Sequence, residues 1–196
     1  MTHLSDEELI EIYKKSGSDE AFETILSRYK NSLFSFLVRM VSDRTVAEDL
    51  FQEVFFRVIK SLPEYKSKDK FKSWIFRIAN NLAIDHLRSV KRRKTSSIEE
   101  EIFKEKGKAI KVEDILKSAS HGPEKILEHK ELQHILKNSI ESLTEEQKEI
   151  FLLRHGSGMS FKEIADLLKC PLNTALGRMH CAMKKLKEKL TGALEV

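Results

Sequence analysis

Five cations fall within seven residues, Arg88, Lys91, Arg92, Arg93 and Lys94, with no acidic side chain between them. The chemistry such a run offers is charge neutralisation, since each lysine or arginine can displace a counterion condensed on a phosphate backbone. Cations at a helix C-terminus also favour the helix dipole, but capping needs fewer than five. Upstream, Arg77, Asn81, Asp85, Arg88 and Arg92 recur at intervals of three or four residues, which puts them on one helical face. Asn81 can hydrogen-bond a base edge or remain a solvated amide. Asp85 would repel phosphate and is assigned to orienting Arg77 or Arg88. Trp74 offers a stacking surface for an unpaired base, yet it lies in the apolar stripe Phe71, Trp74, Ile75, Ile78 and Leu82, and a core tryptophan fits equally well.

A second group lies in FKEIADLLKCPLNTALGRMH, residues 161–180. Ile164, Ala165 and Leu168 have helical spacing, and Ala165 is small, as a close helix crossing requires. The turn at Lys169–Leu172 is short and holds Pro171, Asn173 has the chemistry of a helix cap, and Ala175, Met179, Ala182 and Leu186 make the buried stripe of a following helix. This is the pattern of a helix-turn-helix, whose second helix enters the major groove with its first residues near base edges. Asn173, Thr174, Gly177, Arg178, Cys181, Lys184 and Lys185 face outward. A plain packed helical hairpin gives the same spacing; the cations Arg178, Lys184, Lys185, Lys187 and Lys189 on the second helix favour the DNA-binding alternative.

The third surface is of mixed charge. In AEDLFQEVFFRVIKSL, residues 47–62, Val46, Leu50, Val54, Val58 and Leu62 form the expected buried seam, and Asp49, Gln52, Glu53, Phe56, Arg57 and Lys60 share the other face. An amphipathic surface helix explains all of these but Phe56. An aromatic ring among charges suits a protein–protein contact.

Catalysis finds little support. The chain has no Gly-rich phosphate loop. His155, Cys170, His180 and Cys181 offer metal-binding atoms, but 180 and 181 are adjacent and point in different directions on a helix. The two cysteines, eleven residues apart, outline no disulfide framework. No cofactor, no metal and no enzymatic activity are expected.

These residues need long helices to position them. Of 196 residues, 34% are charged and 40% hydrophobic, with only 7 Gly and 3 Pro, a composition that favours solvated helices over turn-rich sheets. The net charge of +4 is too small to argue for nucleic acid by itself. Caps and stripes predict a helix opened by Ser5 and a second after Ser16-Gly17-Ser18 carrying Phe22, Ile25, Leu26, Tyr29, Leu33, Phe36, Leu37 and Met40. A third starts at Thr45 and runs to Leu62, and a fourth spans Phe71 to Arg93. Residues 95–122 carry no sustained stripe and read as a linker. Pro123 opens a second domain whose first helix carries Ile126, Leu127, Leu132, Ile135, Leu136 and Ile140. Thr144 with Gln147 and Ser160 with Glu163 have capping-box spacing, Gly156 is the expected stop between them, and the last helix runs from Thr174 to Leu190. The expected fold is all-α: an N-terminal helix bundle over 1–94 and a four-helix helix-turn-helix domain over 123–196, joined by a flexible linker. The amphipathic, acidic N-terminus and the lack of a membrane-length apolar run predict a soluble cytoplasmic protein with no membrane insertion.

Three segments, in this order, resemble the extracytoplasmic-function (ECF) group of bacterial RNA polymerase sigma factors, over about residues 18–94 and 123–190. AEDLFQEVFFRVIKSL resembles the segment that grips the clamp helices of the polymerase largest subunit. FKSWIFRIANNLAIDHLRSVKRR is similar to the segment that melts and reads the minus-ten promoter element. LTEEQKEIFLLRHGSGMSFKEIADLLKCPLNTALGRMHCAMKKLKEKL is similar to the fourth region, which binds the minus-thirty-five element.

The resemblance implies polymerase contacts at Asp49, Gln52, Glu53 and Phe56. It implies minus-ten contacts at Arg77, Asn81, Arg88, Lys91, Arg92 and Arg93, and minus-thirty-five contacts at Asn173, Thr174, Arg178, Lys184 and Lys185. It also implies three partners: core polymerase, promoter DNA and an anti-sigma factor. Leu176 and Cys181 stand where the family often carries a lysine and an arginine. A repressor or activator built on the same helix-turn-helix, or a helical adaptor with basic faces, remain the competing readings of the residues.

Overall fold

A computed structural model describes residues 1–66, 70–96 and 134–194, excluding the side chains of 94–96 and 192–194. Residues 97–122 of the expected linker, Pro123, the stripe residues Ile126, Leu127 and Leu132, and the Lys94 side chain lie outside the described residues, while Thr95 and Ser96, expected to begin the linker, belong to a helix. Within them every regular element is helical. The order is α1 (Asp6–Ser16), α2 (Asp19–Val41), α3 (Arg44–Ser61), a 3-10 turn (Leu62–Glu64) and α4 (Phe71–Ser96), then α5 (134–141), α6 (Glu145–Ser157), α7 (Phe161–Leu168) and α8 (Leu172–Leu194).

Local chemistry sets most of the boundaries. Ser5, Thr144 and Ser160 each close a capping box with the residue three further on, satisfying two otherwise unpaired donors. The bonds from Ser160 hold the Glu163 carboxyl below its usual range.

Four boundaries differ from the sequence expectation. The cap of α3 is Asp43, which accepts from Val46 N at 3.0 Å. Glu48 is drawn instead to Arg44 at 3.0 Å, so Thr45 has no capping partner there. Helix α4 continues past Arg93 to Ser96. Helix α6 runs past Gly156 and stops at Gly158, whose φ of 66° is the left-handed conformation that closes a helix. Helix α8 starts at Leu172 because the Pro171 carbonyl already accepts from Ala175 N at 3.1 Å, which leaves Asn173 inside the first turn rather than capping it. Gly158→Ala is expected to cost about 1–2 kcal/mol, the penalty for a side chain at this φ, read by urea denaturation.

The first four helices enclose Ile25, Leu33, Phe36, Leu37, Val58, Ile75 and Phe76, all essentially inaccessible to solvent. The seam of α3 is rotated from the expected one. Ala47, Val54, Phe55 and Val58 are buried, while Val46 and Leu50 are half-buried. The cause is aromatic: Phe51 packs on Phe55 at 4.9 Å and meets Phe34 edge-on at 5.8 Å, turning that side of the helix inward.

In the C-terminal half, Ala175, Met179, Ala182 and Leu186 are buried as the helix-turn-helix spacing predicts, against Ile164, Ala165 and Leu167 of α7. The two halves are packed together, α6 along α2 and α4, and α7 on α4.

Candidate nucleic-acid interface

Helix α4 divides its polar residues between two environments. Asn81, Arg88, Lys91, Arg92 and Arg93 are exposed along its outer side. Arg77, expected on the same free face, is half-buried and donates from Nη2 to the Asp166 carbonyl of α7 at 3.3 Å. Asp85 is exposed and makes no ion pair with Arg77 or Arg88 among the described residues, so the orienting role assigned to it has no support; Arg77 is held by the second domain instead. Trp74 is half-buried in a ring cluster, 4.9 Å from Tyr65 and 5.5 Å from Phe71, and belongs to the packing of this end of the bundle.

Asn80 did not stand out in the sequence. It is only 4% exposed and donates from Nδ2 to Glu149 Oε1 of α6 at 2.6 Å. A neighbouring asparagine on a helix predicts nothing by itself; the signal lay in Glu149, a carboxylate one residue before the buried Ile150. Burial pushes the Glu149 carboxyl up from its ordinary value, against the Asn80 hydrogen bond and the nearby Arg178 and Arg88. The next residue, Lys148, reaches the other way. Its amine donates to the Met40 carbonyl at 3.1 Å and to Ser42 Oγ at 3.3 Å, a cation at the C-terminus of α2 where the dipole favours it. Burial lowers the affinity of that amine for its proton. Ser73 of α4 donates to the Met159 sulfur at 3.6 Å, a further contact between the halves, whose buried apolar side chains form one continuous cluster.

On α8, Asn173, Thr174, Gly177, Cys181 and Lys184 are exposed, as expected. Arg178 and Lys185 are partly turned in. Arg178 lies near Glu146 and Glu149, and Lys185 donates to the Ser142 carbonyl, tying α8 to the turn before α6. Exposed apolar side chains interrupt the polar surface at Leu172, Leu176 and Met183. On α3, Asp49 and Gln52 are exposed, Glu53 pairs with Arg57 at 2.7 Å, and Phe56 is 63% exposed. The mixed-charge face is therefore present with its aromatic ring in solvent.

The Sigma-70 region 2 family matches residues 25–93, and the Sigma-70 region 4 family matches residues 133–186. The "ECF RNA polymerase sigma-E factor" of Escherichia coli K12 is 32% identical over 191 residues, covering 95% of each chain. The chain belongs to the ECF group of sigma factors.

The protein of the same description from Haemophilus influenzae is 30% identical over 95% of this sigma factor and 96% of its own length. The "RNA polymerase sigma-H factor" of Pseudomonas aeruginosa is 27% identical over 97% and 96%. Two solved structures share the fold. The sigma factor RpoE of Bartonella quintana, in complex with the anti-sigma factor NepR, superposes with a TM-score of 0.69 at 23% identity, over 87% of this chain and 96% of that one. CnrH, in complex with the cytosolic domain of CnrY, gives 0.64 at 18% identity over 96% and 99%. As a family, sigma factors are DNA-binding transcription regulators and not enzymes. Among the described residues no helix is long and apolar enough to cross a membrane.

Proposed function

We propose that this sigma factor binds core RNA polymerase through α3 and directs initiation by reading two promoter elements, the minus-ten element with α4 and the minus-thirty-five element with α8. The observation that carries the reading is the exposed side of α4, where Asn81 lies ahead of Arg88, Lys91, Arg92 and Arg93. The cations suit phosphates, and the amide ahead of them suits the edge of an extruded base. Asp49, Gln52, Glu53 and Phe56 are the polymerase contacts. Asn173, Thr174, Arg178, Lys184 and Lys185 belong to the upstream contact, with Arg77 joining the downstream one once α7 leaves it. The working division is 1–94 for polymerase and minus-ten binding, 95–122 for the linker and 123–196 for minus-thirty-five binding. The protein acts in the cytoplasm, and an anti-sigma factor is its expected inhibitor.

In the packed arrangement α6 and α7 cover part of α4, so the two halves separate before both promoter elements are engaged. Transcription from a promoter library by core polymerase, with and without this protein, tests the reading, with permanganate reporting opened thymines. Start sites that appear only with the protein support it. An absence of such sites on every promoter would sink it, and duplex binding by the isolated chain at full strength would favour a repressor. Arg178→Ala is expected to weaken holoenzyme binding at the upstream element by about 1–3 kcal/mol if its guanidinium meets a base edge, and by less if it meets only phosphate. Gel-shift titration of the holoenzyme on duplexes mutated base by base separates the two.

A further inference from the structure

Asn80 and Glu149 meet where α4 crosses α6, and the two residues are only 4% and 9% exposed. One half of the asparagine amide is satisfied, because Nδ2 donates to Glu149 Oε1 at 2.6 Å. The other half is not: Asn80 Oδ1 is buried with no hydrogen-bond partner among the described residues. An ionised carboxylate has acceptors only, so it cannot serve that oxygen. A carboxylic acid presents an O–H beside its C=O, and an acid facing a primary amide can close two antiparallel hydrogen bonds at once. We infer that Asn80 and Glu149 form a proton-binding site between the two halves of the chain, in which protonation of Glu149 completes the pair and holds the halves together.

The proton resides on the Glu149 oxygen that is not accepting from Nδ2 and is donated to Asn80 Oδ1; no other bond changes. Without it, the closed form leaves a buried acceptor unpaired and a buried charge only partly matched, both of which favour separation. The charged groups acting on Glu149 are Arg178 of α8 and Arg88 of α4, which favour the carboxylate, and Glu146 of its own helix, which opposes it. Burial outweighs the cations. From α2 and α7 the same seam receives main-chain groups, the Met40 carbonyl on Lys148 and the Asp166 carbonyl on Arg77.

The sign follows from linkage. Separation returns Glu149 to water and to its ordinary value of 4.5, whereas in the closed form its proton is held more tightly. Below the ordinary value both forms carry the proton and the pair is at full strength. As pH rises towards the raised value, the open form loses its proton first and gains population; above the raised value nothing further changes. A single proton limits the change in the open-to-closed ratio to about tenfold per pH unit.

The test is small-angle X-ray scattering from the full chain at constant ionic strength, between about pH 4.5 and pH 8, a range that runs upward from the ordinary carboxyl value. Glu149→Gln supplies a neutral mimic of the acid at every pH, since its Nε2 can donate to Asn80 Oδ1 while its Oε1 accepts from Nδ2. The wild type is expected to expand as pH rises, and Glu149→Gln to stay as compact at the high end as the wild type at the low end. A wild type of constant size overturns the inference, as does a Glu149→Gln variant that keeps the wild-type response, because the titrating group would then lie elsewhere. Asn80→Ala, which removes the acceptor, is expected to be open across the range; if circular dichroism shows it unfolded, the comparison of wild type with Glu149→Gln decides alone. None of these readouts requires DNA or polymerase, so their outcome is separate from that of the promoter experiment.

Discussion

Phe56→Ala is expected to weaken binding of this sigma factor to core RNA polymerase by ~30-fold or more, while leaving its thermal stability unchanged. The ring is 63% exposed on α3, among Asp49, Gln52, Glu53 and Arg57. In the free chain it buries little, so its removal leaves no cavity. In a complex, an aromatic side chain ringed by polar groups is the usual form of an energetic anchor, and truncating one costs about 2 kcal/mol or more, which is the stated fold-change. Reversing Asp49 and Glu53 to lysine should add a separate loss, seen mainly in the association rate and its salt dependence. Competition with a labelled reference sigma factor for core polymerase measures both. Wild-type affinity in the Phe56→Ala variant would remove α3 from the polymerase contact and leave Phe56 without an assigned role.

The largest stability effect is expected at Phe76. It is fully buried and meets Phe36 edge-on at 5.7 Å and 76°, between α2 and α4. Phe76→Ala removes its transfer free energy and leaves a cavity among side chains that are also fully buried, at a cost of about 3–5 kcal/mol. Domains of this size have about 5–15 kcal/mol in total, so the melting temperature should fall by at least ~12 °C. The comparison with Phe56 is informative because the residue type is the same and only burial differs. A Phe76→Ala variant that melted within a few degrees of wild type would mean that the bundle collapses into the space or is not packed as described.

Much of this was legible in the chain. Capping boxes at Thr144 and Ser160 and the stripe Ala175, Met179, Ala182 and Leu186 are local signals, and local signals survive folding. The errors came where two local options competed. Thr45 lost its capping role because Asp43 is the better-placed cap and Glu48 pairs with Arg44. The seam of α3 turned because its aromatic residues found one another. Asn80 and Arg77 were missed or misplaced for a different reason, as their partners Glu149 and Asp166 lie 69 and 89 residues away. Residue spacing along one helix cannot report what a distant helix lays across it. Phe56, Asn81 and Arg88 were the readable part of the candidate site because they stay exposed on their helices.

The acidic start of α6 has one more consequence. Glu146, whose carboxyl is held below its usual range chiefly by hydrogen bonds at the start of α6, sits within electrostatic reach of Arg178 and Lys91. The closed chain thus carries an anion of its own against two of the cations it would offer to phosphate. Chromosomal DNA is a vast reservoir of weak sites, and a protein with open basic faces is drawn onto it by counterion release alone. If α4 and α8 bind DNA as proposed, internal neutralisation at Glu146 is expected to lower that background attraction, leaving more of the factor in solution where it can meet polymerase. What looks like a cost to DNA binding is, at the scale of the cell, a way of staying available.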